Sequence, residues 1–216
     1  MPDAPDGGAR TGWWQCLAVD ADRAPAWFAV VWSDRHPDGH RVELVAAAAE
    51  REVGDDAMGV ATYGADGEVT ELRLGPRGAP AGPAVWFAEY RETNSTPPAV
   101  SLMAFAGHGV RAGTLVDPAG LAELPVVTDD QLAAVRWYPG TGEVDQIYVR
   151  PDRRRQRLGN AMIGAAATLS YARGWPRLWS DGQRTDLGER FRNASSWQHR
   201  TTDLTHLAPP MTPGEA

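Results

Sequence analysis

Five arginines, at 150, 153, 154, 155 and 157, fall between an apolar stretch and a helical one. A loop that opens a helix presents first-turn N–H groups with no intrahelical acceptor. Gly159 and the small Ala161 leave room for an anion to approach that backbone. The helix dipole adds partial positive charge at the same end, and the arginine forks add full charges. Residue types in this order suit a pyrophosphate group. Neither common phosphate loop is present: there is no G-x-G-x-x-G and no G-x-x-x-x-G-K-[ST]. The same cluster is also compatible with a solvated surface loop or a nucleic-acid patch.

The elements that must position this loop are legible around it. Leu132–Tyr138 and Glu143–Arg150 read as strands joined by a Pro-Gly-Thr-Gly turn at 139–142. After the loop Pro151–Arg157, a helix is expected over Leu158–Arg173. Leu158, Met162, Ala165, Leu169 and Ala172 share one face of it, and Gly174 and Pro176 end it. A short strand, Leu178–Ser180, and a short helix, Asp186–Ser195, follow. The first half reads as β-rich, with strands at Trp13–Val19, Ala26–Trp32, Met58–Tyr63, Val69–Leu74, Val85–Arg91 and Val100–Ala106. One helix is expected there, Arg41–Val53, stopped by Gly54. Residues 1–11 and 201–216 read as irregular tails.

The segment VDQIYVRPDRRRQRLGNAMI (144–163) resembles the acetyl-CoA-binding motif of the GNAT superfamily, the Gcn5-related N-acetyltransferases. The family signature Q/R-x-x-G-x-G/A stands here as Gln156-Arg157-Leu158-Gly159-Asn160-Ala161. The resemblance covers about residues 127–197. It implies an α/β fold: a mixed, mostly antiparallel twisted sheet with flanking helices. Residues 126–200 would form the cofactor core, and the β-rich half, 12–125, would complete the sheet and shape the acceptor side.

It also implies roles. Backbone groups of Ile147, Tyr148 and Val149 would pair with the pantetheine arm of acetyl-CoA, the co-substrate. Arg154, Arg155, Gln156, Arg157, Leu158, Gly159, Asn160 and Ala161 would hold the pyrophosphate. Asp145, eleven residues before the signature Gln, takes the place of the family's catalytic carboxylate, and Glu143, two residues earlier on the same strand face, is the second candidate. Asp145 also suits a simple ion pair with an arginine across the hairpin. The family's acid is a tyrosine in Asn-x-x-Ala-x-x-Leu-Tyr. Here Thr185, Gly188, Phe191 and Arg192 occupy those places, and Ser196-Trp197 replaces the following Gly-Phe. Tyr148, Tyr171 or water would have to serve instead.

Net charge is -7, and all 21 basic residues are arginine. An acidic balance argues against nucleic acid and for a small cationic amine as acceptor. One cysteine, Cys16, makes no disulfide framework or metal cluster. His36 and His40 stand four apart, but Pro37 and Gly39 forbid a helix there, so no metal is expected. His108 in Gly-His-Gly reads as a turn. Trp137, Trp179 and Trp197 read as core or cleft wall, and Glu89 and Tyr90 as candidates for the acceptor pocket. With no signal-peptide pattern and no apolar run of about 18 residues, a cytoplasmic protein with no membrane partner is expected. A homodimer is left open. Two other functions remain: a non-catalytic acyl-CoA-binding or regulatory module, and an enzyme acetylating aminoacyl-tRNA.

Overall fold

The computed structural model describes residues 12–19, 25–33, 36–44, 59–75, 82–194, 201 and 203–207. Strands β1 (Gly12–Val19), β2 (Pro25–Ser33), β3 (His36–Leu44), β4 (Gly59–Tyr63) and β5 (Val69–Leu74) form one sheet, ordered β3-β2-β1-β4-β5. All its neighbours are antiparallel except β1 and β4. A second sheet holds β6 (Trp86–Glu92), β7 (Ala99–Phe105), β8 (Leu115–Val116), β9 (Ala133–Tyr138) and β10 (Glu143–Val149), ordered β10-β9-β7-β6-β8. Here only the short β6–β8 pair is parallel. The architecture is therefore mixed α/β, with a mostly antiparallel five-stranded sheet flanked by helices.

The two sheets are stitched at one point. Leu72 donates its amide to the Gly113 carbonyl at 2.7 Å, and Gly113 donates to Val85 at 2.8 Å. Gly113 has φ +87, and a Cβ there would sit 3.1 Å from the Leu72 carbonyl oxygen, so only glycine suits the junction.

Among the described residues the α-helices are α1 (Pro118–Ala122), between β8 and β9, and α2 (Leu158–Ala172) and α3 (Asp186–Ala194), after β10. The sequence predicts one apolar face for α2, but the helix is buried nearly all round. It packs against β4 and β5 of one sheet and β9 and β10 of the other. The reason is composition. Between its large residues stand Gly164, Ala166, Ala167, Thr168 and Ser170, small enough for two sheets to close on one helix. Its large side chains, Leu158, Met162 and Leu169, share a core with Leu72, Phe87, Leu102, Val135 and Trp137. Trp137 is fully buried, a burial whose loss costs about 3–5 kcal/mol in typical cores.

Two sequence expectations fail. Arg41–Leu44, expected to begin a helix, is the end of β3, paired with Trp27–Val30 of β2. Arg-Val-Glu-Leu alternates polar and apolar, which is strand periodicity, and a partner strand outweighs helix propensity. The remainder of that expected helix, 45–53, lies outside the described residues. The C-terminal tail is not wholly irregular. β12 (His206–Leu207) pairs in parallel with β11 (Gln183–Arg184), and Thr201 bridges Ser180. His36 and His40 both fall on β3. Among the described residues, no helix is long and apolar enough to cross a membrane.

Candidate functional site

β10 is the outermost strand of its sheet. Its free side meets the 178–180 segment only at its start: Glu143 and Trp179 form a parallel bridge, Val144 N–H donates to Trp179 at 2.8 Å, and Trp179 N–H to Gly142 at 3.0 Å. Beyond Val144, among the described residues, no strand pairs with this edge. Asp145 is an extra residue in the ladder, where the register to β9 shifts between Val144 and Gln146. The bulge decides which groups face out. Arg150 donates to Leu132 of β9 at 2.9 Å, so alternation turns the backbones of Tyr148 and Gln146 toward β9 and those of Ile147 and Val149 outward. The Val149 carbonyl accepts from Arg154 Nε at 3.3 Å. Of the three residues expected at the edge, Tyr148 thus turns its backbone inward, paired with Ala134.

The loop that follows is exposed throughout 151–157. A 3-10 turn at Pro151–Arg153 leads into Arg155 and Arg157, both with left-handed φ, 63 and 62. For non-glycine residues that conformation costs about 1–2 kcal/mol each. Arg157 is the N-cap of α2 and gives no side-chain cap. A left-handed residue followed by a right-handed one turns successive N–H groups to one concave side, an arrangement that accepts anions. Leu158, Gly159 and Ala161 are buried, whereas Asn160 is half-buried. The Ala161 N–H is taken by the Arg157 carbonyl at 3.0 Å, so it serves the helix. The space beside Gly159 is filled by the ring of Phe191 from α3: a Cβ there would lie 2.8 Å from Phe191 Cε2. Gly159 thus admits an aromatic ring on that side, which the signature did not foretell.

On the sheet face away from α2, Ser101, Met103, Ala134, Arg136, Gln146 and Tyr148 form the floor of a cleft of about 880 Å³. Thr128, Asp129, Gln131, Arg150 and Asp152 make its rim. Met103 of the floor also packs against a small separate core in which Trp86 stacks on Phe105 at 4.7 Å and α1 supplies Leu121. Arg136 is the hub of the floor. It holds Glu92 through Nε and Nη2 (2.8 Å at the closest) and Asp145 through Nη1 at 2.7 Å. Tyr138 donates to the other Asp145 oxygen at 3.0 Å. Hydrogen bonds from Arg136 and then Ser101 hold the Glu92 carboxyl below its ordinary pKa, and Glu92 in turn raises that of Arg136. Asp145 is therefore an ion pair across the hairpin as well as the carboxylate of the bulge. Glu143, opposite Tyr138, shares this face but joins none of these bonds.

The other sequence candidates are placed as follows. Tyr148 lines the cleft with its side chain. Tyr171 is buried in the last turn of α2, within the core and away from the cleft. Arg192, at the place of the family's tyrosine, pairs with Glu189 and Asp203. Glu89 does not reach the cleft: it lies on the opposite face, buried, and Arg173 grips it from α2. Tyr90 stands on the cleft face, opposite Ser101, and is exposed. His108 has φ 58 and faces Asp130 at 3.4 Å. Trp179 donates to the Thr141 carbonyl at 3.1 Å. Trp197 lies outside the described residues. Sequence reading missed Arg136, Glu92 and Tyr138. Arg136 and Tyr138 alternate with buried Val135 and Trp137, which marks them as facing away from the core, but their meeting with Glu92 of β6 depends on strand order. Among the described residues, no group of three or more His, Cys, Asp or Glu is placed to hold a metal.

No family model, no curated protein and no solved structure matches this chain.

Proposed function

We propose that this chain is an acetyl-CoA-dependent N-acetyltransferase of the GNAT type, acting on a primary amine of a small cationic acceptor. One observation carries the reading: β10 and the 178–180 segment run parallel, pair at Glu143/Trp179 and nowhere further along. The edge at Ile147 and Val149, which no strand pairs among the described residues, then leads directly into the arginine loop. An amide-bearing pantetheine arm needs such an edge, and a diphosphate needs such a loop. Acetyl-CoA would supply the activated thioester carbonyl.

The chain's own groups divide the remaining work. The outward N–H and C=O of Ile147 and the N–H of Val149 orient the arm, while the Val149 carbonyl is held by Arg154. Arg154 and Arg155 offer charge-assisted bonds to phosphate oxygens. The cleft admits the amine on the other face of β10, beside the bulge. Nitrogen attacks the thioester carbon, the carbon–sulfur bond breaks, and the amine's proton must leave while the departing thiolate gains one. Asp145 stands nearest the bulge to receive the first proton. With Arg192 where the family has tyrosine, the cleft-lining hydroxyl of Tyr148 or a water donates the second.

The test is calorimetric titration of the full chain with CoA, before and after Arg154→Glu with Arg155→Glu, beside a thiol-release assay over a panel of amines. Binding weakened at least tenfold by the double reversal, with amine-dependent thiol release, supports the reading. Absence of CoA binding at millimolar concentration removes it. Binding without transfer to any amine favours a non-catalytic acyl-CoA-binding module.

A further inference from the structure

Arg150 stands where three parts of the site meet. Its own N–H donates to the Leu132 carbonyl at 2.9 Å, where the pairing of β10 with β9 ends. Its side chain, 26% exposed, joins the arginine loop to the cleft rim. Nε and Nη2 grip the two oxygens of Asp152, at 2.7 and 3.1 Å, and Nη1 donates to the Asp129 carbonyl at 2.6 Å. Arg150 also lines two cavities: the cleft, and a smaller one of about 260 Å³ bordered by His108, Asp130, Arg153 and Gln156. One guanidinium is thus common to the wall of each.

The rim has few other holds. Thr128–Asp130 is a single 3-10 turn with no buried residue, the kind of segment that opens at low cost. Beyond its own short-range bonds, two polar contacts reach it among the described residues. One is Arg150, and the other is His108, which faces Asp130 at 3.4 Å. The loop, for its part, shares one carboxylate between two arginines. Arg150 grips Asp152 with a full fork, whereas Arg153 comes only to 3.5 Å. The bond from Arg150 holds the Asp152 carboxyl below its ordinary pKa. An anion arriving on the loop competes with Asp152 for the loosely held Arg153 more readily than for Arg150, whose planar fork is already matched. Asp152 is then left to Arg150 alone, and the strut from loop to rim tightens. By linkage, whatever steadies the rim favours the anion in return.

We propose that Arg150 is the positioning residue through which an anion on the arginine loop steadies the 128–131 rim of the cleft. It acts through Asp152 and the Asp129 backbone, not on reacting atoms. The proposal rests on the reading above for which anion occupies the loop, but not for the link itself.

The experiment follows backbone amide NMR signals of the full chain during titration with CoA and, separately, with inorganic pyrophosphate. In the wild-type chain, the signals of 153–157 and of 128–131 shift along one saturation curve. With Arg150→Met the loop signals still shift, at an affinity weakened by less than tenfold, and the rim signals no longer follow. Asp152→Asn, at an exposed side chain, uncouples the rim in the same way while the loop binds the anion at least as well. The retained loop response shows that each variant is folded. If Arg150 were merely structural, its loss would displace the rim signals in the free chain and leave their response to the anion intact. Rim signals that stay still in the wild-type chain, or that follow the anion in either variant, overturn the proposal, as does loss of the loop response in both. CoA that shifts the loop but not the rim removes this proposal and leaves the transferase reading. Pyrophosphate that moves both where CoA binds nowhere does the reverse. If neither probe binds, both fall.

Discussion

Val144 gives its amide to the carbonyl of Trp179 at 2.8 Å, and with that bond the contact between two parallel segments ends. Two features enforce the separation. The bulge at Asp145 rotates the alternation of β10, so that Ile147 and Val149, rather than Gln146 and Tyr148, turn outward. The 178–180 segment continues instead toward Thr201, which Ser180 bridges. A sheet edge left open in this way is a template for pairing with whatever arrives, and natural proteins leave few such edges unprotected.

Gly142 sets where the two segments touch. Its φ is +79, and a Cβ would fall 2.1 Å from the Arg177 carbonyl oxygen. Gly142→Ala therefore meets both a left-handed backbone cost of about 1–2 kcal/mol and a backbone overlap that only separation relieves. Urea denaturation should show stability lowered by at least about 2 kcal/mol. CoA affinity should fall with it, because the edge opens at its base. Unchanged stability would mean that the Gly142–Arg177 approach is not as drawn.

Asp145 holds Arg136 in an ion pair and is proposed as the proton acceptor, and its variants separate the two. As an ion pair with Arg136 it is partly exposed, and exposed pairs contribute about 0–1 kcal/mol. As the acceptor of the amine's proton it would matter by about 10²–10⁴ in rate. Asp145→Asn should thus leave the thermal midpoint within a few degrees of wild type while turnover with a transferring amine falls at least a hundredfold. A turnover loss of only a few fold would assign Asp145 to the Arg136 network and move attention to Glu143.

How much of this was legible depended on how local the signal was. The element positions in 132–174 read correctly because the strands, turn and helix carry local signals and Gly142 and Gly174 mark the breaks, although the one apolar face expected of α2 became burial on nearly every side. The placement of Arg41–Leu44 did not, because the β2 partner that decides it is supplied by tertiary pairing. Glu89 and Tyr90 are neighbours in sequence, yet alternation sends one into the core and the other onto the cleft face. Sequence gives that parity but not which face packs on α2. The Glu92–Arg136–Asp145 cluster joins three strands, β6, β9 and β10, across one sheet. Only the strand order, with β7 between β6 and β9, brings it together.

Arg155 separates binding from stability in the arginine loop. Its φ of 63 suits glycine better than any branched side chain. Arg155→Gly should hold or raise stability, by up to about 1 kcal/mol, while weakening CoA by the loss of one phosphate-directed charge. Chemical denaturation and CoA calorimetry on the same sample check both signs. A variant that is less stable and binds CoA as well as wild type would contradict the assignment of this loop.

Glu89 gives the fold a pH dependence of known sign. Burial pushes its carboxyl up, but the bonds from Arg173 and then Arg91 outweigh burial, so its pKa in the folded chain lies below the ordinary 4.5. Arg173 also stacks over Trp175 at 4.9 Å and reaches Glu68 at 3.4 Å, so this cluster ties the end of α2 to β6 and to the β4–β5 turn. A depressed carboxyl means that the unfolded chain binds more protons between the two pKa values, and stability rises with pH across that window. The contribution is complete above about pH 4.5 and is lost as pH falls through the folded value. Glu89→Gln leaves the Arg173 charge without its nearest partner. It should destabilise the chain by about 3–5 kcal/mol near neutrality, the cost of breaking a buried pair on one side. The gap to wild type should narrow as pH drops below 4 in urea titrations. A gap that stays constant from pH 7 to pH 3 would show that the carboxylate's charge contributes nothing to holding α2 in place.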